Sequence, residues 1–409
     1  MKKVLPIFLG ILTAIGGFVD MGDLVANAAV GARFGFSLAW VVVVGVVGIV
    51  VFAELSGRVA AVSGRAVFDL VRERLGPVAG ALNLGASFFI NSLTLVAEIA
   101  GVAIAVSLVA SVNYLFLIPV AAFLVWLVIW RMPFSVLEQV FGLLGLALLV
   151  FVVAVVKIGP DWGDVIHQVT HPAVPEEESV WTYCYYAIAL FGAAMTPYEV
   201  FFFSSGAVEE HWSTKDLAVE RANVFVGFPL GGLLSLAIMA CAALVLLPAG
   251  AEVDALAQVP LPVATAIGKL GLAVALLGIF AATFGAALET ALSAGYAIAQ
   301  YFGWQWGKFV RPRDAARFHL VVLVAIVGAM IVGLAGIDPV KVTEYSIVLS
   351  AAALPLTYLP ILIVANDPTY MGERTCGRIM NAIATVYLVL LVVVAVATIP
   401  LMIVTRAGA

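Results

Sequence analysis

Two carboxylates three residues apart, Asp20 and Asp23, stand in the stretch Gly10 to Gly35, GILTAIGGFVDMGDLVANAAVGARFG, which is otherwise apolar enough to enter a bilayer. A carboxylate at that depth is costly and persists only where it meets a partner or a water-filled cavity, so an intramembrane acid marks a functional site. Gly16, Gly17 and Gly22 flank the pair and weaken a helix there. That weakening frees backbone carbonyls of the kind with which discontinuous transporter helices hold cations. Together these groups can bind a cation through oxygen.

A second stretch, YAIALFGAAMTPYEVFFFSSG, offers a matching break. Pro197 removes a backbone hydrogen bond and clashes with the turn before it, which places an interruption between Gly192 and Pro197. Polar Thr196, Tyr198 and Glu199 cluster at that point. Interrupted helices at corresponding positions of two halves point to the binding site of an inverted-repeat transporter. Two further acids lie deep in apolar segments: Glu98, which follows Asn91, Ser92 and Thr94, and Glu289, set among small residues. Each is either in an ion or proton path or is satisfied by a neighbouring helix.

The elements that must position these residues are membrane helices. The chain has 409 residues, of which 64% are hydrophobic and 11% charged, with a mean hydropathy of +1.15. Eleven stretches are long and apolar enough to cross the hydrocarbon core, centred in 5–33, 36–61, 77–110, 114–130, 134–158, 180–207, 217–247, 262–302, 314–336, 340–365 and 378–405. No soluble domain fits between them, and nothing suggests a nucleic-acid partner. Cys184, Cys241 and Cys376 are far apart, which implies neither a disulfide framework nor a zinc site. Fifteen of the twenty basic residues fall on one side if the N-terminus is cytoplasmic, including Lys2, Lys3, Arg58, Arg65, Arg72, Arg74, Arg221 and Arg378. The positive-inside rule therefore predicts N-in and C-out. Met1-Lys2-Lys3 before an apolar run resembles a signal peptide, but Asp20 and Asp23 stand where its small-residue cleavage site belongs.

Other polar residues have plainer readings. Glu54 and Arg58 are spaced i, i+4 and are expected to pair at a helix end, and Glu138 suits a helix N-terminus. The acidic loop Gly159–Ser179 carries His167 and His171 at i, i+4, a metal spacing if helical, though Pro172 and Pro175 limit any helix. The loop is either an acidic vestibule that gathers cations or simply solvated. In LPLTYLP, Leu354 to Pro360, two prolines are expected to make a helix irregular, and the last segment reads as a lipid-facing accessory helix.

These residues resemble those of the NRAMP family of divalent-metal transporters. DMGD at Asp20–Asp23, followed by GARFGFSLAW, stands where the family has DPGN and a similar G-x-RFG run. GAAMTPY at Gly192–Tyr198 stands where it has G-A-x-x-M-P-H, and VAEIAG, VLEQV and VLSAAALPLTYLP also look family-like. The resemblance implies a LeuT-type fold of two inverted five-helix repeats plus one extra helix, eleven transmembrane helices in all, with the first and sixth discontinuous. It divides the chain into a first repeat at 1–158, an extracellular loop at 159–179, a second repeat at 180–365 and an accessory helix within 366–409. It also implies a plasma-membrane protein without cofactor or enzymatic activity, read here as a monomer.

By the same resemblance Asp20 is a metal ligand and Ala193 supplies a backbone carbonyl. Asp23 replaces an asparagine, and Thr196 falls where the family has a methionine, so a soft thioether becomes a hard hydroxyl. Carboxylate, carbonyl and water suit Mg²⁺ and Mn²⁺, whereas thioethers favour softer metals, and Mg²⁺ sheds water reluctantly. The expected cargo is therefore Mg²⁺, with Mn²⁺ beside it, bound partly hydrated by Asp20, Asp23, Ala193 and Thr196, with Met195, Tyr198 and Glu199 as further candidates. A shift of one residue in the break would return the Met195 sulfur to the site. Leu95 and Tyr198 occupy the places of an aspartate and a histidine used in proton transfer, whereas Glu98 is retained and Arg317 keeps part of a basic cluster. Glu98, Glu289 and Arg317 are the candidates for a proton or ion path. This pattern is similar to the NRAMP-related magnesium transporters, which move a hydrated ion without proton coupling.

Three alternatives stand beside it. One is a proton-coupled Mn²⁺/Fe²⁺ importer that uses Met195. Another is an intramembrane aspartyl protease, which the placement of both acids in one segment disfavours. The last is an organic-solute carrier, which the acids also disfavour.

Overall fold

The computed structural model describes residues 10–12, 14–15, 17–132 and 134–408, with the side chains of 134–139 excepted. Lys2, Lys3, Gly16 and the Glu138 side chain thus lie outside the described residues. In chain order the helices are α1 (Met21–Phe34), α2 (Ala39–Ser63), α3 (Val67–Ala110), α4 (Tyr114–Arg131), α5 (Phe134–Gly145), α6 (Leu149–Ile158), α7 (Trp162–Thr170), α8 (Val180–Ala194), α9 (Pro197–Glu209), α10 (Leu217–Ala222), α11 (Phe228–Val245), α12 (Leu261–Ile267), α13 (Lys269–Phe302), α14 (Ala316–Leu334), α15 (Pro339–Ala365), α16 (Pro368–Met371) and α17 (Arg378–Val404). Among the described residues ten spans are long and apolar enough to cross a membrane, some of them joining two helices, such as Val180–Glu209. The first segment adds α1 and the helical residues before Val19. The protein is all-α in these residues, as a bilayer requires of a chain that must satisfy every backbone group internally.

Several elements differ from their sequence reading. The third segment starts ten residues earlier than Pro77, at Val67, because the chain stays helical on both sides of a kink at Gly76, whose φ of 84° is open to glycine. The eighth is split at Gly268, with φ 85°, into α12 and α13. Pro355 and Pro360 do not make α15 irregular: it runs unbroken from Pro339 to Ala365, since neighbouring helices and local adjustments re-satisfy the freed backbone groups of a membrane helix. Within the loop 159–179, residues Trp162–Thr170 form α7, capped by Asp161 through a bond from Gly163 N at 2.8 Å. His167 and His171 stack at its end with centroids 4.8 Å apart.

α1 lies at the centre of the bundle, packed against α11 and α8, while α3 packs against α13 and α15. α17 is exposed over most of its length: Ile379, Val386, Val389, Val393 and Val396 all lie on its open face. The seat of α1 depends on Gly31, because a Cβ there would lie 2.2 Å from the Met239 carbonyl oxygen of α11. That atom is backbone and cannot swing aside. Gly31→Val is expected to force the two helices apart and to lower stability by about 1–3 kcal/mol, read as an earlier melting transition in detergent.

Candidate cation site

The first break falls at Val19 and Asp20, between helical residues 17–18 and α1. Asp20 is extended, with φ −105° and ψ −176°, and caps α1. One carboxylate oxygen accepts from Asp23 N at 2.8 Å. The next free donor of the first turn, Met21 N, gives its hydrogen to the two Glu98 oxygens at 3.0 and 3.3 Å. Both acids thus sit on the positive end of a helix, where anions are favoured. The sequence placed Glu98 at depth, but not on this helix end.

Asp23 is turned toward α11. Ser235 Oγ donates to its Oδ2 at 2.6 Å and Asn27 Nδ2 to its Oδ1 at 2.8 Å. Ser235 and Asn27 were missed in the sequence reading; the available signal was a buried polar residue within an apolar helix.

The second break falls at Met195 and Thr196, inside the predicted window, with Pro197 opening α9. Tyr198 joins the two breaks, since its hydroxyl lies 3.0 Å from the Gly17 carbonyl and 3.2 Å from Asp20 Oδ2. Ser293 of α13 donates to the Tyr198 carbonyl at 2.9 Å and so fixes the start of α9. Thr196 Oγ1 donates to Glu199 Oε2 at 3.3 Å. A Cβ on Gly17 would stand 2.5 Å from Glu289 Oε2 and 3.0 Å from Glu199 Oε1, so these carboxylates converge on the turn just before the first break. Asp20, Glu98, Glu199 and Glu289 are thereby brought around one unwound segment by α1, α3, α9 and α13.

Ala193 is buried in the last turn of α8, where carbonyls run out of partners within the helix. α8 is held close to α15 there, because a Cβ on Gly192 would meet the Ile347 carbonyl at 2.5 Å. Met195 is fully buried, and its sulfur faces α2 and α17: a Cβ on Gly48 would lie 2.7 Å from that sulfur and 2.9 Å from the Tyr387 ring. Leu95 is packed in an apolar cluster with α4 and α14 residues. Arg317 lies in the first turn of α14 with its guanidinium 5.3 Å from the centroid of the Trp304 ring. Trp304 follows α13, whose end is thirteen residues beyond Glu289, about 20 Å along a helix. Arg317 is therefore remote from the group around Asp20. Among the described residues no three His, Cys, Asp or Glu side chains already stand as a metal cage.

The site can therefore offer a divalent ion carboxylate, hydroxyl and carbonyl oxygen from two broken helices. The family model described as natural resistance-associated macrophage protein-like, Nramp, matches residues 10–400. The divalent metal cation transporter MntH of Erwinia tasmaniensis is 27% identical over 384 residues, covering 89% of this chain and 87% of the relative. MntH of Pectobacterium carotovorum is 26% identical over 390 residues, 92% and 89% of the two chains. In fold, the chain superposes on a point mutant of the Eremococcus coleocola manganese transporter with a TM-score of 0.72, at 16% identity over 98% of this chain and 87% of that one. The nucleobase-cation-symport-1 transporter Mhp1 follows with a TM-score of 0.62 at 13% identity, over 98% and 92%. With a match that runs from ahead of the first break into α17, the chain belongs to the Nramp family, whose members are divalent metal transporters and not enzymes.

Proposed function

We propose that this protein imports Mg²⁺, with Mn²⁺ as a second cargo, as a partly hydrated ion and without proton coupling. The observation that carries the reading is the pair of neighbours at the second break. Thr196 presents a hydroxyl beside Glu199, while the Met195 sulfur is packed against Gly48 on the other side of the chain. Oxygen donors suit Mg²⁺ and Mn²⁺, and a roomy site of few protein ligands lets Mg²⁺ keep several waters. Asp20, Ala193 and Thr196 are the proposed ligands, with Asp23 acting through the charge it adds at α1 and Tyr198 holding Asp20. Leu95 and Tyr198 put an alkyl chain and a phenol where the family resemblance places the aspartate and the histidine used in proton transfer.

In this reading 1–158 and 180–365 are inverted repeats, 366–409 holds the accessory helix, and the N-terminus is cytoplasmic and the C-terminus outside in the plasma membrane. A monomer suffices for rocking of one bundle against the other around the fixed site.

A second reading, proton-coupled Mn²⁺ or Fe²⁺ import, is favoured by the manganese transporter among the structural neighbours and by Glu98, buried on the first N–H of α1. Uptake into proteoliposomes with a trapped pH dye separates the two. Mg²⁺ entry without acidification is expected. Mn²⁺ entry with acidification and no Mg²⁺ entry would replace the first reading with the second.

A further inference from the structure

A cavity of about 750 Å³ opens between α2, the start of the α10–α11 segment and the first turn of α17. Arg58, Arg221 and Arg378 line it, together with Glu54 and the apolar Phe225, Ile379 and Ile383. Glu54 is buried and is already matched: Arg58 Nε donates to it at 3.1 Å, a second Arg58 nitrogen bonds its other oxygen, and Arg221 Nε lies 3.3 Å away. Glu220, buried against Gly57, brings the local count to two carboxylates against three guanidiniums. The cavity remains positive.

Two of the three cations have capacity to spare. The Arg221 side chain is 54% exposed, and Arg378 is exposed and makes no ion pair or side-chain hydrogen bond among the described residues. Arg378 also opens the 27-residue α17, whose N-cap, Gly377, has no side chain to take the free N–H groups. The wall of the cavity is apolar and continues outward: Ile379 and Ile383 begin the exposed row that runs along α17 through Val386, Val393 and Val396. A soluble anion has no use for such a wall. A phospholipid has, with its phosphate on the guanidiniums and an acyl chain along the helix.

We propose that this cavity binds the headgroup of an anionic phospholipid. Arg378 and Arg221 hold the phosphate, and α17 carries the acyl chain. Basic pockets between membrane helices take anionic headgroups on the cytoplasmic side, which is the side the basic residues of this end already indicate. The occupant ties the first turn of α17 to α2 and α10, which meet each other here through Glu54 and Arg221.

The test uses the full chain in nanodiscs of phosphatidylcholine with a minor share of phosphatidylglycerol, followed by native mass spectrometry of what the protein keeps on release. Retention of phosphatidylglycerol over phosphatidylcholine is expected. Arg378→Gln breaks no ion pair and should reduce retention by about tenfold, the size of one charge-assisted contact, with no change in melting in detergent free of anionic lipid. Arg221→Gln combined with it should remove the preference. Arg374→Gln, outside the cavity, should leave it intact. Equal retention of the two lipids, or an Arg378→Gln variant that keeps the preference, would overturn the proposal. Displacement of the lipid by millimolar inorganic phosphate would overturn it too, by showing a site for a free anion.

Discussion

Asp20→Ala is expected to abolish divalent-ion uptake, by at least about a hundredfold, which corresponds to about 2.7 kcal/mol. Two effects combine in that variant and they can be separated. Asp20 caps α1 through Asp23 N, and loss of a cap costs about 1 kcal/mol. Asp20 also presents its second oxygen beside Tyr198 and the Gly17 carbonyl, where the two broken helices meet. Asparagine caps a helix about as well as aspartate but brings no charge. Asp20→Asn should therefore melt like the parent protein and still lose transport by the same order. If proteoliposomes bearing Asp20→Asn took up Mg²⁺ and Mn²⁺ at rates within about threefold of the parent, a gap of well under 1 kcal/mol, Asp20 would be a structural cap and the site would lie elsewhere.

Both breaks were legible in the sequence because glycine and proline act locally. Gly16 and Gly17 precede the first, and Pro197 fixes the second from its own ring. What surrounds the breaks was not legible, because it depends on pairings across the chain. Glu98 and Met21 are 77 residues apart, and Ser235 reaches Asp23 from 212 residues away. Neither spacing has a local signature. The prolines of LPLTYLP misled for the complementary reason: a rule drawn from an isolated helix does not allow for neighbours that re-satisfy the freed groups, and α15 has such neighbours in α3, α8 and α17. Orientation at Met195 and Thr196 was open as well, because a break ends the helical periodicity that would otherwise assign a face.

In the proposed reading that orientation sets the choice of ion, and the two neighbours give different expectations when changed. Thr196→Met returns a thioether to the position where the family resemblance places one. Thr196 makes no side-chain cap to α9, so the change costs no cap, only the bond to Glu199 at 3.3 Å. A sulfur there lowers affinity for Mg²⁺ and raises it for softer ions. The ratio of Mn²⁺ or Cd²⁺ uptake to Mg²⁺ uptake is expected to rise by at least about tenfold, on the scale of one ligand exchanged, about 1.4 kcal/mol. Met195→Ala should change stability and leave selectivity alone. Its side chain is fully buried against Gly48 and Tyr387, so truncation leaves a cavity between α8, α2 and α17 and costs about 2–5 kcal/mol. The melting transition should fall while the ratio of ions carried stays as it was. The pair discriminates because each variant controls for the other. A changed ion ratio in Met195→Ala with an unchanged one in Thr196→Met would mean that the sulfur faces the ion during transport, and the oxygen-only site would have to be given up.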